Sequence, residues 1–187
     1  MMKKLHSEAT LMKLQEAIVS LLLQKCYQEI TIADITKSCG ISRTTFYMFF
    51  SSKEELVRDL WAELIDAHVD RLKLMLTADK DEMHAELQLL MECNKRKKKA
   101  ICALLRIHTG SFIPYLDLID RFEKKVLETM PQGTTSYSLP LFAKYYATNS
   151  ATTIALWAEN NDESFTVSDI CDIQYTCMYK GMASLLE

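Results

Sequence analysis

Arg43, Thr44 and Tyr47 stand together in the run SRTTFYMFF, and their chemistry is that of groups that read nucleotides. A guanidinium offers paired donors to a guanine edge, a threonine offers a hydroxyl and a methyl group, and a phenol bonds phosphate oxygens. At helical spacing Arg43, Thr44, Tyr47 and Met48 fall on one side, while Phe46, Phe49 and Phe50 fall on the other. A short helix that is apolar behind and carries such groups in front suits a DNA major groove.

Such a helix must be started and held at a fixed angle, and the residues around it supply the means. Ser42 is a good N-cap for it. Gly40 ends the preceding helix, because glycine enters the left-handed conformation without a Cβ penalty. Thr31, with Asp34 three residues on, caps the start of that preceding helix, where Ile32 and Ile35 share a face followed by Cys39 at i+4. The stretch TIADITKSCGISRTTFYMFFSSKEEL, residues 31 to 56, therefore reads as a helix-turn-helix with a third helix beginning behind it. A packing hairpin shares the order helix, glycine, helix, but has no use for Arg43, Thr44 and Tyr47 side by side at the surface.

Composition agrees with long helices and short connections: in 187 residues there are 4 Gly, 3 Pro and 49% hydrophobic residues. The fold class expected is all-α, with about nine helices. A leucine-rich stripe (Leu11, Leu14, Ile18, Leu21, Leu22) marks the first helix, about Ser7 to Lys25. Ser51/Glu54 and Ser52/Glu55 are capping boxes that open a long helix to about Met75. Further helices are expected at about 81–94, 101–105, 113–129, 139–159 and 167–186, with the clearest loop at Pro131–Ser138.

Net charge is −3, which at first sight argues against nucleic acid. Residues 1–60, however, carry eight Lys and Arg against seven Asp and Glu. A small reading head needs only a local basic rim, which Lys3, Lys4, Lys37, Arg43 and Lys53 would supply. The run Lys95-Arg96-Lys97-Lys98-Lys99 reads first as a solvated connection, and whether it touches DNA is open. Neither a run of 18 apolar residues nor a signal-peptide pattern is present, so a cytoplasmic protein without a membrane segment is expected. Six cysteines show neither a C-x-x-C pair nor a zinc-like set, and buried reduced thiols are the default. There is no Gly-rich phosphate loop, no GxSxG elbow and no Glu-x-x-His repeat around His84, Glu86 and Glu92, so neither an enzyme nor a cofactor is expected.

The order of residues in the motif closely resembles the DNA-binding segment of the TetR/AcrR family of bacterial transcriptional regulators. The likeness rests on the T-IADI-K start, Cys39-Gly40-Ile41-Ser42, Thr44-Thr45-Phe46-Tyr47, Phe49-Phe50 and Ser52-Lys53-Glu54-Glu55-Leu56. It is strong over residues 8–60 and lies in helical layout beyond. The resemblance implies a DNA-binding domain at 1–52 and a helical ligand-binding and dimerisation domain at 53–187. Arg43 is then the direct reader, with Thr44 beside it, and Thr31, Thr45, Tyr47 and Lys53 grip the DNA backbone. Phe49 and Ser51 depart from the family's polar and lysine positions, which removes contacts.

The partners implied are a double-stranded, palindromic DNA operator and a second copy of the chain. Small residues Ala147, Ala151 and Ala155 on the penultimate helix, with Met178, Gly181 and Met182 on the last, would let two copies approach closely. An effector pocket is expected from Met91, Leu104, His108 and Phe112 together with Tyr115, Phe142, Tyr145 and Trp157, an aromatic and weakly charged set suited to a small apolar or aromatic molecule. The functional expectation is a ligand-responsive repressor. The alternative is a co-regulator of the same fold that acts through a protein partner without binding DNA.

Overall fold

A computed structural model describes residues 2–77, 80–93, 95–131, 133, 138–160 and 165–176. Every regular element among them is helical: α1 (Met2–Leu22), α2 (Ile32–Cys39), α3 (Arg43–Tyr47), α4 (Lys53–Thr77), α5 (Lys80–Cys93), α6 (Lys98–Leu105), α7 (Pro114–Thr129), α8 (Leu139–Glu159) and α9 (Val167–Tyr175), with single 3-10 turns at Tyr27–Glu29 and Lys95–Lys97. Local chemistry sets many of the boundaries. Pro114 occupies the first turn of α7, where its missing N–H is no loss. Thr166 caps α9, accepting from the Asp169 amide at 3.1 Å while the Asp169 carboxylate takes the Thr166 amide at 2.7 Å. At α4 the working cap is Ser52, whose Oγ accepts from the Glu55 amide, and Glu55 reaches back to the Ser51 amide.

The chain forms two compact units, residues 1–64 with 99–107, and residues 65–98 with 108–187. The division between these units falls inside α4. Leu56, Val57, Leu60, Trp61 and Leu64 are all buried, as are Leu14, Ile18, Ile30, Ile35 and Phe46, and the first unit owns them all. It also takes Ile101 and Leu104 from α6. A short head cannot bury enough apolar surface from its own three helices and recruits the start of the fourth.

In the second unit α8 packs along α7 and against α9, and α5 lies against α9. Leu118, Phe122 and Val126 of α7, and Ala143, Ala147, Ala151 and Ala158 of α8, are at its centre. Arg121 bonds Asp66 at 3.0 Å and Lys125 bonds Asp70 at 3.2 Å, which ties α7 to the second half of α4 at the surface. Lys98, inside the basic run, is not simply solvated: its Nζ donates to the Asn160 carbonyl and lies 6.0 Å from the Trp157 ring.

Candidate nucleic-acid interface

The turn between α2 and α3 is built from the residues whose types required it. Thr31 Oγ1 accepts from the Asp34 amide at 3.1 Å, and Asp34 Oδ2 accepts from the Thr31 amide at 2.9 Å. Lys25 donates to the same carboxylate at 2.9 Å. That bond, and those from Thr31, hold Asp34 well below the usual carboxylate range. Gly40 adopts φ 67°, ψ 32°, and the next amide, Ile41 N–H, returns to the Thr36 carbonyl at 3.0 Å. This closes α2 in the manner of a Schellman cap. Ser42 Oγ then accepts from the Thr45 amide at 3.0 Å and its hydroxyl meets that of Thr45 at 2.8 Å, starting α3.

α3 presents what its spacing required. Arg43 and Thr44 are exposed, Tyr47 is 51% and Met48 80% exposed, while Phe46 is fully buried and Phe50 nearly so. The Tyr47 ring stands edge-on to Phe46 with centroids 5.6 Å apart, and Phe46 lies 6.1 Å from Phe50. The phenol is thus held outward by a ring anchored in the core. Phe49, expected on the inner side, is only half-buried, because the chain leaves α3 at Met48 and no longer follows its face. Thr45 is half-buried, its hydroxyl already engaged by Ser42.

Lys53 differs most from expectation. Its Nζ donates to the Tyr27 carbonyl at 2.7 Å and the Ile30 carbonyl at 2.6 Å, and sits 4.3 Å from the centroid of the Tyr27 ring. The 3-10 turn at Tyr27–Glu29 closes with the Ile30 amide on the Tyr27 carbonyl at 3.2 Å, and the ammonium adds a second donor there and one to the Ile30 carbonyl. Desolvation there pushes the Lys53 pKa down. Lys53, half-exposed, thus fastens the first turn of α4 to that 3-10 turn.

A family model for the bacterial regulatory proteins of the tetR family matches residues 14–60, which span α1 to the first turns of α4 and enclose this whole arrangement. Over that stretch the chain is similar to the bacterial regulatory proteins of the tetR family. It is 32% identical over 69 residues to the uncharacterized HTH-type transcriptional regulator YvdT of Bacillus subtilis (strain 168), covering 37% of this chain and 36% of that protein. The matches span less than half the length of the curated relatives. Among solved structures, a protein of Syntrophomonas wolfei str. Goettingen assigned to the TetR-family transcriptional regulators superposes with a TM-score of 0.69 at 16% identity, over 97% of this chain and 98% of that one. The regulator FadR of Bacillus subtilis, solved with stearoyl-CoA, gives 0.64 at 13% identity over 91% and 98%. These likenesses extend the TetR fold to the second unit.

In that second unit the expected pocket residues do not converge. Met91 and Trp157 line a cleft of about 490 Å³ together with Lys95, Lys98, Asn160 and the start of α9. Met91 also lines a small cavity of about 20 Å³ with His68, Leu72, Phe122, Ser150, Thr153 and Gln174. Phe112 and Phe142 are packed in the core and line neither space, and Tyr115 is half-buried with its hydroxyl 3.0 Å from that of Thr152. His108 and Tyr145 are exposed, and Leu104 belongs to the first unit. The residue missed was His68, which the sequence places at i+4 from Leu64 and i−4 from Leu72 on the buried stripe of α4. A histidine in that register is the signal that could have found it.

The small-residue stripe is also corrected. Ala147 and Ala151 are fully buried within the single chain and Ala155 is half-buried, because α7 and α9 close on α8 through them. What α8 leaves outside is Leu141, Tyr145 and Leu156, each more than half exposed, with Ile173 of α9 exposed as well. Met178, Gly181 and Met182 lie outside the described residues. No group of three or more His, Cys, Asp or Glu among the described residues could hold a metal ion, and no helix there is long and apolar enough to cross a membrane.

Proposed function

We propose that this protein is a TetR-family, DNA-binding transcriptional repressor that grips a palindromic operator as a homodimer and responds to a small apolar effector. The observation that carries it is the outward face of α3, where Arg43, Thr44 and Tyr47 are exposed over a buried Phe46 and Phe50. Arg43 reads a guanine edge, Thr44 and Tyr47 meet the neighbouring groups, and Thr31 and Thr45 stand at the amide-rich starts of α2 and α3 that face a phosphate chain. With Lys53 bonded to the Tyr27 and Ile30 carbonyls, backbone charge falls to Arg43 and the exposed Lys37. That supports a head of low non-specific affinity.

Two copies are required to reach two half-sites one helical turn apart. The exposed face of Leu141, Tyr145, Leu156 and Ile173 supports the second unit as the place where they join. The stearoyl-CoA held by Bacillus subtilis FadR supports an effector with an apolar body in this fold.

Nuclease footprinting on the DNA upstream of the protein's own gene tests the reading. A symmetric footprint that Arg43→Ala abolishes is expected. If neither form protects any upstream DNA, the chain is instead a co-regulator working through a protein partner.

A further inference from the structure

His68 is 2% exposed, and neither of its ring nitrogens has a hydrogen-bond partner among the described residues. Its polar neighbours in the small cavity bond to one another and to backbone, not to it. The Thr153 hydroxyl has two acceptors for its one proton, the Asn149 carbonyl at 2.9 Å and Gln174 Oε1, while Gln174 Nε2 donates to Ser150 Oγ at 3.4 Å. A buried donor and a buried acceptor left unpaired cost more than the bonds would contribute if made. The remaining wall is apolar: Leu72, Leu87, Leu90, Met91, Phe122 and Ile154. The cavity's 20 Å³ is about the room of one water. Met91, an adaptable side chain, lines both this cavity and the cleft of about 490 Å³. It is the one residue common to both linings.

We propose that His68 is the polar anchor of the effector site, and that its ligand is an apolar molecule bearing one uncharged hydroxyl or carbonyl group, admitted by displacement of Met91. In calling the occupant an effector this rests on the regulator reading; the site itself does not. A neutral imidazole presents one N–H and one lone pair on separate nitrogens, and a hydroxyl can answer either, as acceptor or as donor. Burial, with the positive field of Lys97, pushes the imidazole down to about 4 and keeps it neutral at pH 7. A carboxylate would have to be desolvated beside a ring that resists protonation, and an ammonium would be desolvated with a single lone pair to receive it.

The test titrates the full-length protein, without DNA, with four matched probes: benzyl alcohol, toluene, benzoate and benzylamine. Imidazole 15N shifts of His68, assigned by comparison with His68→Leu, report occupancy. Benzyl alcohol should shift the His68 resonances and bind more tightly than benzoate or benzylamine. In His68→Leu, which keeps the cavity apolar, the preference for benzyl alcohol over toluene should fall about tenfold, the worth of one buried hydrogen bond. Met91→Ala should tighten both uncharged probes. Unmoved His68 resonances at saturation, an unchanged preference in His68→Leu, or benzoate binding as tightly as the alcohol would each overturn the proposal. A missing footprint on DNA would bear on the regulator reading alone and leave these titrations decisive.

Discussion

Lys53 Nζ lies 2.7 Å from the carbonyl oxygen of Tyr27 and 4.3 Å above the ring of the same residue. Through that pair the first turn of α4 is fastened to the 3-10 turn that follows α1, with the Ile30 carbonyl as a second acceptor. A reading head must present α3 at one angle, and here a half-exposed lysine helps to hold the neighbouring elements in place. Lys53→Met keeps the aliphatic stem and removes the donors. It should lower stability by about 1–2 kcal/mol in urea denaturation, because the Ile30 carbonyl loses its ammonium donor and the Tyr27 carbonyl is left with the Ile30 amide alone. The salt dependence of DNA binding should keep its slope, whereas loss of a phosphate contact would reduce that slope by about one.

Arg43→Ala should behave in the opposite way. The side chain is exposed and no ion pair joins it to another described residue, so the thermal midpoint should stay within about 1 °C, the range of ordinary surface changes. Operator affinity in a band-shift titration should fall by about 1–3 kcal/mol, with relaxed preference at one base pair. Unaltered affinity would remove Arg43 as a reader.

Gly40 offers a test of the turn itself. A Cβ added there meets nothing within 4 Å, so Gly40→Ala introduces no clash. Its φ of 67° remains unfavourable for an L side chain. The variant should lose about 1 kcal/mol from conformation alone, and a van der Waals explanation is not available for the loss. Chemical denaturation gives the number.

His68 makes a prediction about pH. Its folded pKa is depressed to about 4 from 6.5, so between those values the unfolded chain binds a proton that the folded chain refuses. Stability contributed by the neutral ring is present above pH 6.5 and is lost as pH falls, by about 2 kcal/mol at pH 5. His68→Leu should lack that part of the acid sensitivity and should be the more stable protein at pH 7.5, since its unpaired nitrogens are gone. Urea midpoints at pH 7.5 and pH 5 for both proteins decide this. Equal acid sensitivity in the two would place the titrating group elsewhere.

The exposed apolar face of α8 predicts how the copies come apart. Tyr145→Glu with Leu156→Lys puts charges on side chains 61% and 51% exposed in the single chain. Light scattering after size exclusion should change from dimer to monomer, with helical content unchanged. Ala147→Leu should instead destabilise the subunit by about 1–3 kcal/mol through overpacking, because that position is fully buried within it.

Local order in the sequence was enough for much of this molecule. Thr31 with Asp34, Gly40 and Ser42 with Thr45 are short-range devices, each acting within about one helical turn, and their geometry followed from residue type alone. The same holds for α8, expected and found at 139–159, and for the alternation that buries Phe46 and exposes Arg43 and Tyr47. Tertiary structure decided the rest. Lys53 reaches back to carbonyls 23 and 26 residues earlier in the chain, acceptors invisible in its own surroundings. Ala147 and Ala151 face inward because α7 and α9 close on them, and small size alone cannot say which neighbour takes advantage of it. His68 acquires its meaning only where α4, α5, α7, α8 and α9 enclose one space around it. Helix caps depend on neighbours along the chain, but a buried group's partners are set by which distant surfaces the whole fold brings together.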